Sequence, residues 1–201
     1  GMAVTGFVHP DKLLTNSGAQ PGDVLIYTKP VGIGVLTAGI KGSLTDEETR
    51  TFAEGLMMTL NKYARDIMVK YRVHACTDVT GFGMMGHLLE MAQGSEAEVH
   101  LDLSGITFIP QALELARLGV LPAGVYRNRH FAESWVEPGE TELAVQDLLY
   151  DPQTSGGLMM AVHPEDAPAL LEELRQDNRV PAPQLVGRVV PYQGDKRIYL
   201  Y

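Results

Sequence analysis

The chain has 201 residues and a formal net charge of −9, and 45% of its residues are hydrophobic and 20% charged. This is the composition of a globular domain with a substantial core. The acidic balance, without a basic run, argues against broad binding to nucleic acid or to anionic membranes. No apolar run in the sequence is long enough to span a bilayer. A single cysteine cannot form an internal disulfide, so we expect a reducing cytoplasm.

The first predicted element is a strand over residues 3–8, followed by a linker over residues 9–22 that is rich in turn-forming residues. A strand at this position needs a partner, which we expect in sequence outside the chain. A continuous apolar run over residues 23–28 then predicts a strand covered on both faces. Lys29 follows at the end of that strand. It could meet a phosphate there, although a solvated lysine is the simpler interpretation.

The longest predicted helix covers residues 45–71, with Thr45 and Glu48 spaced as a capping box at its start. Apolar residues recur along it at helical spacing, which indicates a face buried in the core rather than a binding surface. That face consists of Phe52, Leu56, Leu60, Tyr63, Ile67 and Met68.

The most informative stretch covers residues 73–92, where a short strand, a polar turn and a helix are predicted in succession. The helix begins at Phe82 or Gly83, with Thr80 as its N-cap. Asp78 lies where the strand ends, which is where α/β sheets usually bind ligands. Glycines at a helix N-terminus suit a phosphate, and a carboxylate beside a phosphate needs a cation between them. Asp78 is therefore either a magnesium ligand or a residue that only caps the turn.

A second polar loop covers residues 151–157, just before an apolar strand over residues 158–162. Consecutive backbone N–H groups in such a loop can form an anion-binding nest. It is not a P-loop, because it has no lysine and a strand follows it. The residues of the predicted nest are Thr154, Ser155, Gly156 and Gly157.

The remaining elements complete a sandwich of helices and strands. The pattern predicts a half-buried strand over residues 98–103, a helix over 110–118 and an irregular segment over 121–139. The chain closes with a helix over residues 164–177 and a hairpin of two strands that turns at residues 193–195. This order predicts an α/β or α+β sandwich and excludes a helical bundle or a barrel.

Several of these stretches resemble the motifs of the selenophosphate synthetase (selenide, water dikinase) family, and they occur in the family's order. They are Ala3-Val4-Thr5-Gly6, Thr28-Lys29-Pro30-Val31-Gly32-Ile33-Gly34-Val35-Leu36-Thr37, Thr77-Asp78-Val79-Thr80-Gly81-Phe82-Gly83 with the following Gly86-His87-Leu88, and Asp151-Pro152-Gln153-Thr154-Ser155-Gly156-Gly157-Leu158. The resemblance covers essentially the whole chain. Related ATP-using families, such as aminoimidazole ribonucleotide synthetases and hydrogenase-maturation dehydratases, share the architecture but differ at these residues.

The resemblance implies that residues 19–201 are the C-terminal α+β domain of the aminoimidazole ribonucleotide synthetase-like superfamily. Residues 1–18 would be the last strand of the family's N-terminal ATP-binding domain plus a linker. That half carries the nucleophilic cysteine or selenocysteine, the catalytic lysine, the glycine-rich ATP loop, the other metal-binding aspartates and the β-barrel that forms a homodimer. Cys76 is not that nucleophile, because it lies in the strand before Asp78, where a cysteine is usually buried and unreactive.

The reaction implied by the resemblance converts ATP, selenide and water to selenophosphate, AMP and orthophosphate, with Mg²⁺ as cofactor. By motif match, Asp78 is the one metal-binding aspartate of this half, and no catalytic residue is expected in it. The residues predicted on the nucleotide side are Lys29, Thr80, Gly81, Gly83, Thr154, Ser155, Gly156 and Gly157. The loop at residues 151–157 serves either the substrate or domain packing. The chain alone is expected to be inactive.

Two alternatives stay open. The first is another ATP-dependent synthetase of the same superfamily, such as a purine-pathway enzyme. The second is a non-catalytic domain that acts only as an interaction module. His87, on the helix after the motif, is more simply interpreted as structural than as catalytic, since the sequence shows no carboxylate partner for it.

Overall fold

The computed structural model describes residue 3 and residues 5–201, which form a seven-stranded sheet with helices on both faces. The strands are β1 (Val24–Tyr27), β2 (Val73–Asp78), β3 (Ala97–Leu101), β4 (Val136–Glu137), β5 (Leu158–Val162), β6 (Gln184–Pro191) and β7 (Ile198–Leu200). The helices are α1 (Ile33–Lys41), α2 (Glu47–Met58), α3 (Lys62–Met68), α4 (Gly83–Gly94), α5 (Pro110–Arg117), α6 (Ala123–Ala132), α7 (Leu143–Tyr150) and α8 (Ala167–Gln176). None of the helices in this described part has the length and apolar character needed to cross a bilayer.

The strands lie across the sheet in the order β2-β5-β1-β6-β3-β7-β4. Neighbours are antiparallel from β2 to β3, whereas β7 runs parallel to both β3 and β4. The mixed sheet between helices confirms the predicted α+β sandwich. It also places β2, the strand that ends in Asp78, at one edge of the sheet beside β5.

Strand β1 is covered on both faces, as its continuous apolar run predicted. Leu25 and Tyr27 belong to the larger core, together with buried residues of α1, α4, α5 and α7. Ile26 belongs to a second core on the opposite face, which α3 and α8 cover. Because side chains alternate along a strand, a strand between two cores has to be apolar at every position.

The strand predicted over residues 3–8 is not present in the described part of that segment. Ala3 and residues 5–8 carry no regular secondary structure, and Val4 lies outside the described residues. Phe7 is fully exposed, and no described strand pairs with this segment. A strand needs a neighbour for its backbone hydrogen bonds, which explains the difference. The assignment of residues 1–18 to a preceding domain stays a prediction.

The single helix predicted over residues 45–71 is wrong, because the chain turns a corner at residues 59–61 between α2 and α3. The N-cap residue of α2 is Asp46, whose side chain accepts a hydrogen bond of 2.8 Å from the N–H of Thr49. The predicted capping box therefore does not form. Asp46 is one residue closer to the helix and has the better N-cap side chain, since its carboxylate also complements the helix dipole.

The apolar face predicted for the long helix is only partly buried. Ile67 and Met68 of α3 lie in the core, whereas Phe52 and Leu60 are 49% and 61% exposed. The buried face of α2 consists of Thr49, Ala53 and Leu56. Phe52 lies beside that face rather than on it, and Leu60 is in the corner, where helical spacing no longer decides which side chains face the sheet.

Two predictions for the second half of the chain are also wrong. The segment over residues 121–139 is not irregular, since it contains α6 and β4. The buried face of α6 is Val125, Asn128 and Ala132, and the polar residue in its middle hides the apolar period. The last two strands do not form a hairpin, because β3 lies between β6 and β7 and pairs with both.

Candidate functional site

Asp78 is the last residue of β2, and its side chain is exposed at the edge of the sheet. It lies opposite Leu158 in the pairing of β2 with β5. The next residue, Val79, is buried, and the chain then turns into α4 through Phe82, the N-cap residue. The predicted succession of strand, turn and helix is confirmed, and the helix begins at Gly83 as expected.

Thr80 does not cap α4, contrary to the prediction. Its hydroxyl oxygen lies 3.4 Å from Nε2 of His87, and its carbonyl oxygen accepts a hydrogen bond of 3.0 Å from the N–H of Gly83. Because Phe82 is the N-cap residue, the side chain of Thr80 makes no cap hydrogen bond, and only its backbone carbonyl meets the first helical N–H. His87 also has a carboxylate neighbour that the sequence did not reveal, since its Nδ1 lies 3.4 Å from Glu90.

A surface pocket of about 550 Å³ opens beside Asp78, and we call it the Asp78 pocket. Its polar lining is Asn16, Asn61, Lys62, Arg65, Thr77 and Asp78, and its apolar lining is Leu14, Met68, Cys76 and Leu158. Carboxylate, amide and hydroxyl oxygens are the ligands that Mg²⁺ prefers. Among the described residues, however, no group of three or more His, Cys, Asp or Glu side chains could hold a metal ion. The pocket therefore fits a magnesium ion only if further ligands come from elsewhere.

Cys76 lines the Asp78 pocket and is only partly exposed. The expectation of a buried thiol is thus met only in part. Burial, and secondarily the charge of Asp78, raise the pKa of the Cys76 thiol to about 12. The sulfur is therefore protonated at neutral pH, whereas nucleophilic cysteines need the thiolate.

The loop at residues 151–157 is hydrogen-bonded to the turn that follows Asp78. The carbonyl oxygen of Gly157 accepts a bond of 2.9 Å from the N–H of Val79, and the carbonyl oxygen of Thr80 accepts one of 2.9 Å from the N–H of Gln153. The two stretches that carried most of the sequence argument therefore form one backbone-bonded unit.

Asp151 and Gln153 supply the N-terminal cap of helix α1. The N-cap residue of that helix is Gly32, which has no side chain to accept a hydrogen bond. Oδ2 of Asp151 instead accepts a bond of 2.8 Å from the N–H of Gly34. Oε1 of Gln153 accepts bonds of 3.2 Å and 3.3 Å from the N–H groups of Gly32 and Ile33. Since the first N–H groups of a helix need acceptors, these two side chains serve packing within the domain.

The carboxyl group of Asp151 is completely buried. Burial raises its pKa to about 7, although the N–H groups at the start of α1 and the amide of Gln153 oppose the shift. Burying an isolated carboxylate in an apolar interior costs free energy, and the neutral form is therefore favoured there. Near neutral pH, the Asp151 side chain that caps α1 is thus partly in the neutral acid form and partly in the carboxylate form.

Lys29 is buried, and its ammonium group donates hydrogen bonds to three carbonyl oxygens. These are the carbonyls of Leu56 at 3.0 Å, Thr59 at 2.8 Å and Ser155 at 2.6 Å. Desolvation lowers the pKa of Lys29 to about 8. All three ammonium hydrogens are used within the fold, so this arrangement lends no support to a contact between Lys29 and a phosphate. That contact stays a prediction.

The glycines of the 151–157 loop permit the close approach of neighbouring backbone. A Cβ at Gly156 would overlap the carbonyl oxygen of Val79, and one at Gly157 would lie 2.7 Å from the backbone nitrogen of Lys29. Glycine is the residue that allows such contacts. Packing alone therefore accounts for these two glycines, and their predicted part in nucleotide binding is untested.

The other residues predicted on the nucleotide side differ in exposure. Gly83 is buried with a φ of 70°, and a Cβ there would lie 2.8 Å from the carbonyl oxygen of Tyr150. Gly81, Thr154 and Ser155 are exposed, and a Cβ at Gly81 would meet no atom within 4 Å. The exposed three are the ones that a ligand could reach without a change of structure.

Two asparagines that sequence reasoning missed bind the backbone of this region. Nδ2 of Asn61 donates a bond of 2.8 Å to the carbonyl oxygen of Gly156. Nδ2 of Asn128 donates bonds of 2.9 Å to the carbonyl oxygens of Gly81 and Tyr150. Asn61 was hidden in the long predicted helix. An asparagine within a helical pattern is nevertheless a signal for a break, because its side chain competes for backbone hydrogen bonds.

Residues 20–199 match the family described as AIR synthase related protein, C-terminal domain, and the chain belongs to this family. Its fold is similar to that of HypE, a hydrogenase maturation protein solved in complex with ATP, with a TM-score of 0.70 and 17% identity over 96% of this chain and 51% of that one. It is also similar to thiamine-monophosphate kinase from Stenotrophomonas maltophilia, with a TM-score of 0.65 and 15% identity over 96% of this chain and 54% of that one. At such identities the likeness concerns the fold alone.

Within that class, the chain is similar to proteins named selenide, water dikinase, which confirms the resemblance. It is 49% identical to the one from Treponema denticola over 176 residues, which are 88% of this chain and 50% of that protein. It is 43% identical to the one from Clostridioides difficile over 199 residues, which are 98% of this chain and 57% of that protein. The chain thus spans about half the length of the curated relatives it matches.

Proposed function

We propose that this chain is the C-terminal domain of an enzyme that makes selenophosphate, AMP and orthophosphate from ATP, selenide and water. The observation that carries the proposal is the 49% identity over 176 residues to a protein named selenide, water dikinase. The relatives are about twice as long, so the rest of the enzyme would supply the ATP-binding part, the nucleophile and the remaining metal ligands. In this proposal the isolated chain has no turnover.

Asp78 is the residue of this chain that would hold Mg²⁺. Its carboxylate is exposed at the end of β2, and Thr77 and Asn61 bring further oxygen atoms to the same pocket. A magnesium ion bound there would neutralise phosphate charge beside the carboxylate. The hydrogen bonds between the 151–157 loop and the turn after Asp78 would keep the carboxylate in position without touching the substrate.

On the nucleotide side, the exposed residues Gly81, Thr154 and Ser155 would face the ligand. The buried residues Gly83 and Lys29 would act through packing instead. The cytoplasm as compartment follows from the low cysteine content, and a homodimer of the complete enzyme follows from the family resemblance. Both belong to the proposal.

The test is phosphorus NMR of the complete protein with ATP, Mg²⁺ and selenide, beside the 201-residue chain and two variants of the complete protein. Asp78→Asn removes the negative charge of the proposed metal ligand. Asp195→Asn changes another exposed aspartate, in the turn between β6 and β7, and serves as the control. We expect selenophosphate from the complete protein and from Asp195→Asn, and none from the isolated chain or from Asp78→Asn.

Turnover by the isolated chain would refute the inactive-piece proposal. Selenophosphate formation that survives Asp78→Asn would refute the metal role. If the complete protein binds ATP but forms no selenophosphate, the substrate assignment is wrong. A purine-pathway product would then favour another synthetase of the superfamily, and the absence of any nucleotide chemistry would favour an interaction domain.

A further inference from the structure

We infer that the Asp78 pocket is a polyphosphate site in which Lys62 and Arg65 contact phosphate groups. The expected ligand is the phosphate chain of a nucleotide. That choice of ligand for this pocket rests on the proposed function. The part assigned to the two basic residues rests on the structure.

The lining of the pocket departs from the charge of the whole chain. The chain carries a net charge of −9, yet the pocket is lined by two cationic side chains and one carboxylate. The side chains of Lys62 and Arg65 are 58% and 56% exposed, so both can reach a ligand. Counted with Asp66, the carboxylate that pairs with both cations, the four side chains carry no net charge, so the pocket is less acidic than the chain as a whole.

Both cations share one carboxylate, that of Asp66. Lys62 forms an ion pair with Oδ2 of Asp66, and Nη1 of Arg65 lies 3.2 Å from its Oδ1. One negative charge between two positive charges leaves a net positive charge at this wall. Such exposed ion pairs are weak, so a phosphate oxygen can replace Asp66 at low cost.

The helix that carries the two cations is held at the pocket by the corner at residues 59–61 that precedes it. Asn61, just before it, donates to the carbonyl oxygen of Gly156, and Lys29 donates to the carbonyl oxygen of Thr59. On its other face, α3 buries Ala64, Ile67 and Met68 in the core. The helix is thus fixed, and only the long side chains need to order when a ligand binds.

The arrangement gives the two sides of the pocket different tasks. A phosphate chain carries more negative charge than one divalent ion neutralises. With a metal ion at Asp78, the phosphate oxygens that do not touch the metal would need other cations, and Lys62 and Arg65 line the same pocket. The inference therefore also explains why one cavity contains both the carboxylate of Asp78 and the two cations, Lys62 and Arg65.

The test measures binding of tripolyphosphate to the 201-residue chain by calorimetry, with and without Mg²⁺. Orthophosphate is measured in parallel to separate a phosphate chain from a single phosphate. Lys62→Gln combined with Arg65→Gln should weaken tripolyphosphate binding at least about tenfold, as expected for the loss of two charge-assisted contacts. Asp66→Asn should strengthen it, because both cations lose their competing carboxylate.

The control is Lys70→Gln, which removes an equally exposed lysine of the same region that is paired with Glu173 and does not line the Asp78 pocket. We expect tripolyphosphate binding by this variant to stay within about twofold of the wild type. Equal weakening by Lys70→Gln, unchanged binding by the double variant, or no saturable binding by the wild type would each overturn the inference.

This result is separable from the fate of the proposed function. A complete protein that makes selenophosphate with an unchanged KM for ATP in the double variant would overturn the inference and leave the function in place. Tripolyphosphate binding that depends on Lys62 and Arg65, in a protein that makes no selenophosphate, would support the site and refute the function.

Discussion

The carboxylate of Asp151 and the N–H of Gly34 are 117 residues apart in the chain and are joined by a hydrogen bond of 2.8 Å that caps helix α1. The same loop is bonded through its backbone to the turn after Asp78. The end of β1, the start of α1 and the candidate metal ligand are therefore parts of one hydrogen-bonded unit. Four predictions about the stability of that unit and its surroundings follow from its contacts.

Asp151→Asn should change the pH dependence of stability. Burial raises the pKa of Asp151 from 3.8 to about 7, so the folded state holds a proton that the unfolded chain has released between these values. The contribution of Asp151 to stability is then fully present below about pH 4 and is lost as the pH rises through about 7. Asparagine does not titrate. The free energy of unfolding of Asp151→Asn minus that of the wild type should therefore be larger at pH 8 than at pH 5. Each unit of the pKa shift that lies within this pH range contributes about 1.4 kcal/mol to the increase.

Urea unfolding at pH 5 and pH 8 measures this difference. Gly156→Ala perturbs the same loop without a titratable group, so its difference from the wild type should be the same at both pH values. A constant or falling difference for Asp151→Asn would show that the buried group stays ionised throughout.

Lys29→Met should destabilise the fold by roughly 3 kcal/mol, because three carbonyl oxygens lose their donor and unsatisfied buried polar groups cost about 1–3 kcal/mol each. Relief from burying the ammonium group offsets part of this cost. Lys70→Met, which changes an exposed lysine, should stay within about 1 kcal/mol. Chemical denaturation compares the two, and equal effects would mean that the buried ammonium contributes nothing specific.

Gly156→Ala and Gly55→Ala should change stability in opposite directions. A Cβ at Gly156 would overlap the carbonyl oxygen of Val79, so we expect a loss of more than about 2 kcal/mol. Gly55 lies inside α2 with no atom within 4 Å of a Cβ, so alanine there should add about 0.5–1 kcal/mol. Thermal unfolding of both variants measures the two effects. A shift of both melting temperatures in the same direction would contradict this account of the loop.

Leu56→Ala should cost about 2–4 kcal/mol, as for other buried leucines, whereas Phe52→Ser should cost less than about 1 kcal/mol. The contrast tests the corrected orientation of α2, since a single core face over residues 45–71 would make both residues equally important. Urea unfolding measures both variants. Similar losses of unfolding free energy for Leu56→Ala and Phe52→Ser would favour the single helix over residues 45–71 that the sequence predicted.

The strand, turn and helix around Asp78 could be predicted from sequence because their signals are local. A short apolar strand, a glycine-rich turn and helical spacing each act within a few residues. The exposure of Asp78 at the end of β2 follows from the same pattern. Family motifs then indicated which of two interpretations of Asp78 to prefer, which spacing alone could not do.

The contacts that hold the site together could not be predicted, because they join distant parts of the chain. Nothing near Lys29 in the sequence reveals that its ammonium group lies beneath the corner at residues 59–61. The cap of α1 likewise comes from Asp151 rather than from a neighbour. Local patterns favoured a solvated side chain for Lys29, with a phosphate contact as the alternative, and an anion-binding nest for the loop, whereas the structure buries Lys29 and uses the loop glycines for packing.

The separation between Gly34 and Asp151 also bears on the order of folding. Closing a long loop costs chain entropy, and contacts of long range tend to form late. During synthesis, a chain that ends before residue 151 would contain Asp78 and most of the helices but none of the loop that orders the neighbouring turn. We therefore expect the candidate metal ligand to become rigid only when the loop at residues 151–157, where the last quarter of the chain begins, has been made.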